Sequence, residues 1–320
     1  MTDGNGNETG MLSPAKIAVQ LLGFAIGLAL LAWCIKGAIE KGGWDKLAHA
    51  NPALVAAMLG CTLLSAFING STFWITAQAL KPLRFRDMQW LNLVANMLNY
   101  APIRLGALAR VLYHLRVDRL GLLQIGGWFA FIGYALALGV GSCLLATLAR
   151  DRIDWIWAVL VLGQMVLGGL LIRVFVGNRL LARYGQGVER ILADRRALWG
   201  ALGLRLVDLA AYSARMAIAM SILDIVLPTS HVIILALVAL AASLIPFGRL
   251  GFREFCVWIT AQRLSMLAPV VDSNMQQLAL VESAGEALIF IPLGAVALLW
   301  YRRRWREGPG ASAASQAEGE

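Results

Sequence analysis

The chain has 320 residues, of which 59% are hydrophobic and 15% charged, with a formal net charge of +9. Soluble domains carry about 25% charged residues, so a composition this apolar, with a mean hydropathy of +0.69, excludes a soluble globular fold. The positive balance does not indicate nucleic acid, because the basic residues gather at the ends of apolar segments, where membrane orientation and anionic headgroups account for them.

The chain opens on MTDGNGNETG, acidic and glycine-rich, with no Lys or Arg before Lys16. A secretory signal needs a basic stretch ahead of its apolar core. Residues 17–39 are therefore read as an uncleaved first span, preceded by a disordered segment at 1–14. Further apolar blocks follow at 53–80, 121–148, 154–176, 198–226 and 275–301. Each reaches the ~20 residues that cross a hydrocarbon core as helix. Open sheets leave backbone groups unpaired in lipid, and the apolar–polar alternation of barrel strands is absent. The expected fold is all-α: a polytopic transmembrane helical bundle of about six spans.

Two more apolar stretches, 88–114 and 231–267, are broken near the middle by Pro, Arg and Gly, and are read as re-entrant helical hairpins. The first contains LNYAPIRLGALARVL at 98–112 and the second LIPFGRLGFREFCVW at 244–258. In both, Pro is followed closely by Arg-Leu-Gly, and Pro102 and Pro246 lie 144 residues apart. Each break also sits between two spans in the same way. The expectation is two inverted repeats, about 53–148 and 198–301, with structural breaks at Asn99, Pro102 and Gly106 and at Pro246, Gly248 and Gly251. Pro removes a backbone donor and Gly permits the turn. The second half-helix of each hairpin then aims its positive N-terminal end into the membrane, beside Arg104 and Arg249, an arrangement that suits a lipid phosphate.

With the N-terminus cytoplasmic, fifteen basic residues fall inside, five outside and eight at or near membrane depth. This asymmetry also places the YRRRWR run at 301–306 inside. Residues 305–320 read as a disordered cytoplasmic tail, leaving 15–304 as a single transmembrane domain.

Charges inside spans are costly, roughly 2.5–3.5 kcal/mol each on insertion scales, so they face an interior or one another. Arg205, Asp208, Tyr212 and Arg215 share one helical face, as do Glu282 and Glu286, and Glu254 follows Arg253 at the second break. These groups are candidates for balancing or gating charge in a polar groove, or for carrying protons. Two structural roles stand beside that reading: a local Arg205–Asp208 salt bridge, and pairing of Glu282 and Glu286 with Arg249 or Arg253 to hold helices together.

Nothing in the residues calls for an enzyme. His49, His114 and His231 are scattered, and Cys34, Cys61, Cys143 and Cys256 sit in apolar segments as small fillers. No nucleophile elbow, P-loop or dinucleotide fingerprint occurs. No cofactor and no metal are expected.

Asn99, Pro102, Arg104, Gly106 and Arg110 resemble an N-x-x-P-x-R-x-G-E-x-x-R pattern, and Gly248, Gly251, Arg253 and Glu254 resemble a P-G-G-x-G-x-R-E pattern. With the apolar framework, residues 15–305 resemble the lysylphosphatidylglycerol synthase transmembrane-region family of flippase-like membrane proteins. Ala107 stands where that family's Glu is expected, and Gly126, Gly127 and Trp128 stand where a charged pair is expected. The resemblance implies a multi-pass protein of the bacterial inner membrane that moves an anionic lipid or lipid-linked intermediate between leaflets. In some members this module is fused to a soluble aminoacyltransferase. No such domain is expected from these residues, so only the membrane module's role is carried over. Taken with the residue reading, Arg104, Arg110, Arg249 and Arg253 are expected to contact the headgroup, with Glu254, Glu282, Glu286, Arg205, Asp208 and Arg215 balancing or gating them. The expected partners are membrane lipids, whether phospholipid, hopanoid or polyprenyl-linked. A lipid-biosynthesis enzyme and further copies of the chain stay open as partners. The alternative is a non-transporting membrane subunit that recruits or regulates a lipid-modifying enzyme.

Overall fold

The computed structural model describes residues 14–40, 49–101, 105–174, 187–243, 251–267 and 275–307. Pro102, Arg104, Pro246, Gly248 and Arg249 lie outside the described residues, as do 1–13 and 308–320 of the chain ends expected to be disordered; Pro14 and residues 305–307 of those ends are helical instead, because the helices beside them run on. Within them the protein is all-α, with eleven helices and no strand. In chain order they are α1 (Pro14–Glu40), α2 (Pro52–Ala77), α3 (Phe85–Leu98), α4 (Leu105–Arg116), α5 (Leu122–Ala149), α6 (Trp155–Arg173), α7 (Val188–Ala193), α8 (Arg195–Ile222), α9 (Thr229–Ala242), α10 (Phe252–Leu267) and α11 (Met275–Glu307).

Five helices are long and apolar enough to cross a membrane: α1, α2, α5, α6 and α11. The protein is a multi-pass membrane protein. The sixth expected span, α8, has 28 residues. At 1.5 Å per residue it is about 42 Å long, enough to cross. Arg205, Asp208 and Arg215 keep its composition polar, and all three are buried. The two broken stretches are pairs of short helices. Helices α3, α4, α9 and α10 have 14, 12, 14 and 16 residues. At about 18–24 Å, none alone spans a hydrocarbon core of ~30 Å.

The distribution of side chains is that of a protein solvated by lipid. Large apolar residues such as Phe67, Leu148, Leu167, Leu288 and Leu299 are exposed, while Thr62, Thr72, Arg215 and Glu282 are buried. Three buried hydroxyls of α2 turn back onto their own helix: Thr62, Ser71 and Thr72 donate to the carbonyls of Met58, Phe67 and Ile68 at 3.1, 2.8 and 2.9 Å. That leaves a small, satisfied surface for close helix contact. Between spans, Asp154 caps the first turn of α6 by accepting from Trp157 N at 3.0 Å, and Arg150 Nε donates to both its oxygens at 2.9 Å.

The most extensive helix contact joins α2 to α8. A Cβ on Gly200 of α8 would meet Ile75, near the end of α2, whereas Asp208, further along α8, bonds Ser65, earlier in α2. The two helices therefore run antiparallel. Among helices α2–α5 and α8–α11 the remaining contacts come in matched pairs, including α2 with α3 and α8 with α9, α3 with α4 and α9 with α10, α5 with α8 and α11 with α2, α5 with α9 and α11 with α3. Exchanging the two halves maps this contact set onto itself, with α2 and α8 as antiparallel mates. This is the geometry of inverted repeats. Because α2 and α8 end at opposite sides, the hairpins that follow them start from opposite sides.

The first hairpin closes tightly because Gly106 has no side chain. A Cβ there would strike the Ala95 carbonyl and the Asn99 amide. Gly251 opens α10 with φ of 86° and lies against the Gly27 carbonyl of α1. Its left-handed backbone and that contact both require glycine. At its base the first hairpin is tied down by Lys81, which donates to the Asp118 carbonyl at 2.7 Å, and by Asp87, 3.5 Å from Arg304 of α11. Helix α11 runs on to Glu307, past the expected end of the span.

Candidate functional site

Helix α3 carries a polar stripe, Asn92, Asn96 and Asn99, at positions i, i+4 and i+7 of one helical face. Asn92 is fixed by donating its amide to the Ala66 carbonyl of α2 at 2.8 Å, and Asn96 donates to the Asn92 carbonyl at 2.9 Å. This leaves the Asn92 side-chain oxygen aimed at α4, where it accepts from Arg110 Nη2 at 2.8 Å. The Arg110 guanidinium also lies 3.6 Å from the centre of the Phe73 ring. Arg110 is buried, and its Nη1 has no hydrogen-bond partner among the described residues.

This group faces a cavity of about 390 Å³. The first hairpin contributes Asn96, Asn99, Gly106, Ala107 and Arg110, and the second contributes Leu240 and Ser243. Between them stand Ser65 and Asn69 of α2, Ile132 and Leu136 of α5, Arg205, Asp208 and Tyr212 of α8, and Glu286 and Phe290 of α11. The cavity thus lies where the two halves meet, and both hairpins reach it. On its α8 wall, Arg205 Nη1 donates to Asp208 Oδ2 at 3.1 Å, and Ser65 donates to Asp208 Oδ1 at 2.5 Å. Asn69 Oδ1 and Arg205 Nε also lack partners among the described residues. Unpaired buried polar atoms are few in a folded protein. Here several converge on one space.

Behind the Glu286 wall lies a second charged centre. Arg253 of α10 donates to both Glu282 and Glu286 of α11, and Arg215 of α8 donates to Glu282 and lies 3.8 Å from Glu286. All four residues are 1% exposed, and the two guanidinium groups match the two carboxylates. Tyr212 donates to Glu286 at 3.4 Å, and its ring lies 4.2 Å from the Arg215 guanidinium. The four-charge ring locks three helices together, and Glu286 connects it to the cavity. Glu254 stands apart: it accepts from Gly251 N at 2.6 Å and from the Ser283 hydroxyl, capping the start of α10.

The sequence-predicted residues therefore fall into three places. Arg110, Arg205, Asp208, Asn99 and Gly106 line the cavity; Arg215, Arg253, Glu282 and Glu286 form the ring, with Glu286 touching both; Glu254 and Gly251 shape the turn into α10. Sequence reasoning missed Ser65, Asn69, Asn92 and Asn96, although both pairs are spaced i, i+4 and were visible as polar stripes in apolar helices. It also missed His114, whose Nδ1 lies 2.7 Å from Asp118 Oδ2 and whose ring contacts Trp128 at 4.9 Å. Trp128, where the resemblance expects a charge, is fully buried and donates to Thr76 at 2.7 Å.

No model of a known family matches this chain, and no curated protein matches it.

Proposed function

We propose that this protein is a lipid translocase of the bacterial inner membrane, similar to the flippase-like lysylphosphatidylglycerol synthase transmembrane regions, that carries an anionic lipid or lipid-linked intermediate between leaflets. The observation that supports this reading is Arg110. It is a buried guanidinium with one free N–H edge and no carboxylate partner among the described residues, facing a cavity that both hairpins reach. A charge held this way inside a membrane is costly, and such residues mark substrate pathways. An anionic headgroup would complete the guanidinium's hydrogen bonds, as phosphates commonly do with arginine.

In this reading the headgroup sits between Arg110 and Arg205, and the asparagines of α3 orient Arg110 toward it. Arg253 acts as a positioning residue: it fixes Glu286, and with it the wall opposite Arg110. The antiparallel halves supply two similar hairpins starting from opposite sides, the arrangement that lets one site be reached alternately from each leaflet.

The test is a flipping assay in proteoliposomes with fluorescent phosphatidylglycerol. Hydrogen bonds to a charged group contribute roughly 1.5–3 kcal/mol, so Arg110→Gln is expected to slow flipping about tenfold to a hundredfold, while Arg303→Gln leaves it unchanged. Flipping by Arg110→Gln at the wild-type rate would reject the site. No flipping by the wild type, with a stoichiometric enzyme co-purifying, would instead favour a regulatory subunit.

A further inference from the structure

The first hairpin has a second face. On the side away from the cavity, Leu98, Leu105, Leu108 and Leu112 form one wall of a groove of about 470 Å³, and the end of α11 forms the other with Tyr301 and Trp305. Arg302 and Arg306 complete the lining, and among the described residues no carboxylate lines it. Its volume falls in the range of about 300–1,000 Å³ usual for small-molecule sites.

The arginines of this helix end are divided in their partners. Arg303 and Arg304 are both paired with Glu307, at 2.8 and 3.4 Å, and Arg304 also lies 3.5 Å from Asp87. Arg302 and Arg306 make no ion pair among the described residues, are exposed, and sit i, i+4 on one helical face. Among the described residues, the two arginines left without a counter-charge are thus the two at the groove. Beside them Tyr301 and Trp305 stack with ring centres 5.8 Å apart, and Arg116 lies over the Trp305 ring at 4.5 Å. Stacked aromatics next to arginines mark the depth where headgroups meet acyl chains.

The geometry points to this groove as a binding site for one anionic phospholipid, distinct from the cavity, with an acyl chain along the leucines and its phosphate held by Arg302 and Arg306. The apolar wall distinguishes the occupant from free phosphate, which has nothing to place against it. A zwitterionic lipid leaves the pair of arginines only partly neutralised.

The test uses the full chain, purified in mild detergent with equal phosphatidylglycerol and phosphatidylcholine and weighed by native mass spectrometry. The wild type is expected to keep one phosphatidylglycerol in preference to phosphatidylcholine. Arg302→Gln/Arg306→Gln is expected to hold it about thirtyfold more weakly, the loss of two arginine contacts near a membrane surface. Arg303→Gln, whose arginine already has a carboxylate, is expected to keep it. Both variants change exposed side chains, and an unshifted Tm would verify that they fold. A photoactivatable phosphatidylglycerol should label residues 105–112 in the wild type and not in the double variant. Equal retention of the two lipids by the wild type, or unchanged retention by the double variant, would overturn the proposal. Because Arg110 lies on the other face of the hairpin, Arg110→Gln should keep the lipid, so loss of flipping and loss of this lipid are separable results.

Discussion

Ser65 of α2 donates its hydroxyl to Asp208 of α8 at 2.5 Å, a side-chain bond between the two halves of the chain at the wall of the cavity. The equivalent helices meet here in antiparallel register, so the bond reports on the contact between halves. Ser65→Ala removes one of the two donors of a buried carboxylate and leaves Arg205 as the other. The expected cost is about 1–3 kcal/mol, read as a lowered Tm in detergent. Adding Asp208→Asn should cost less than the sum of the single changes, because the two residues share one interaction.

The four-charge ring makes a sharper prediction. Glu282→Gln leaves Arg215 and Arg253 facing one carboxylate, a net buried positive charge, with an expected cost of about 3–5 kcal/mol. Arg215→Gln leaves the opposite excess. The double variant Arg215→Gln/Glu282→Gln restores neutrality around the Arg253–Glu286 pair and should be more stable than either single variant in the same unfolding measurement. Purely additive losses would contradict the pairing.

Gly251→Ala is expected to be the most damaging of the glycine substitutions near the site. The new Cβ would carry a φ of 86° and collide with the Gly27 carbonyl, so α1 must separate from the turn into α10. Gly126→Ala is the control, because its Cβ meets nothing within 4 Å. It should leave Tm unchanged or raise it slightly through helix propensity. The comparison needs only the yield and Tm of the two purified variants.

Outside the membrane, the Arg150 guanidinium and the Trp157 backbone amide hold the Asp154 carboxyl at about 2, below its ordinary value of 3.8. A carboxyl depressed by folding stabilises the protein above its unfolded pKa, and that contribution is lost as pH falls through the folded one. The start of α6 is therefore expected to be equally protected from neutral pH down to about 4 and to loosen between about 4 and 2. Hydrogen exchange of residues 155–158 measures this. Asp154→Asn should flatten the pH dependence.

Much of the architecture was legible in the chain because bilayer thickness imposes a length. Apolar runs of spanning length mark α1, α2, α5, α6 and α11, and the Pro-Arg-Leu-Gly breaks mark the two hairpins. Helix α8 was legible as a span from its length, while the reason for its polarity was not. Its partners come from α2 and α11, as in the bond from Ser65 to Asp208 and the one from Arg215 to Glu282, which lies 67 residues away. Periodicity places a charge on a face but does not say which distant helix that face meets. The choice between Arg249 and Arg253 as partner of Glu282 and Glu286 could not be read from spacing. Arg253 makes that contact, and Arg215 shares it. The asparagine stripe of α3 was visible at i, i+4 and i+7, but it lay in a stretch read for its proline and arginine rather than for its amides. Its role depends on the Ala66 carbonyl of α2, which no local pattern reveals.

Photo-crosslinking from within the cavity tests most directly whether the two hairpins converge on an anionic lipid. A photoreactive amino acid placed at Ala107 of the first hairpin, and separately at Ser243 of the second, would be activated in membranes containing labelled phosphatidylglycerol. Crosslinks from both positions, each lost when Arg110→Gln is added, are the predicted result. Labelling from neither position, or labelling that persists without Arg110, would contradict it.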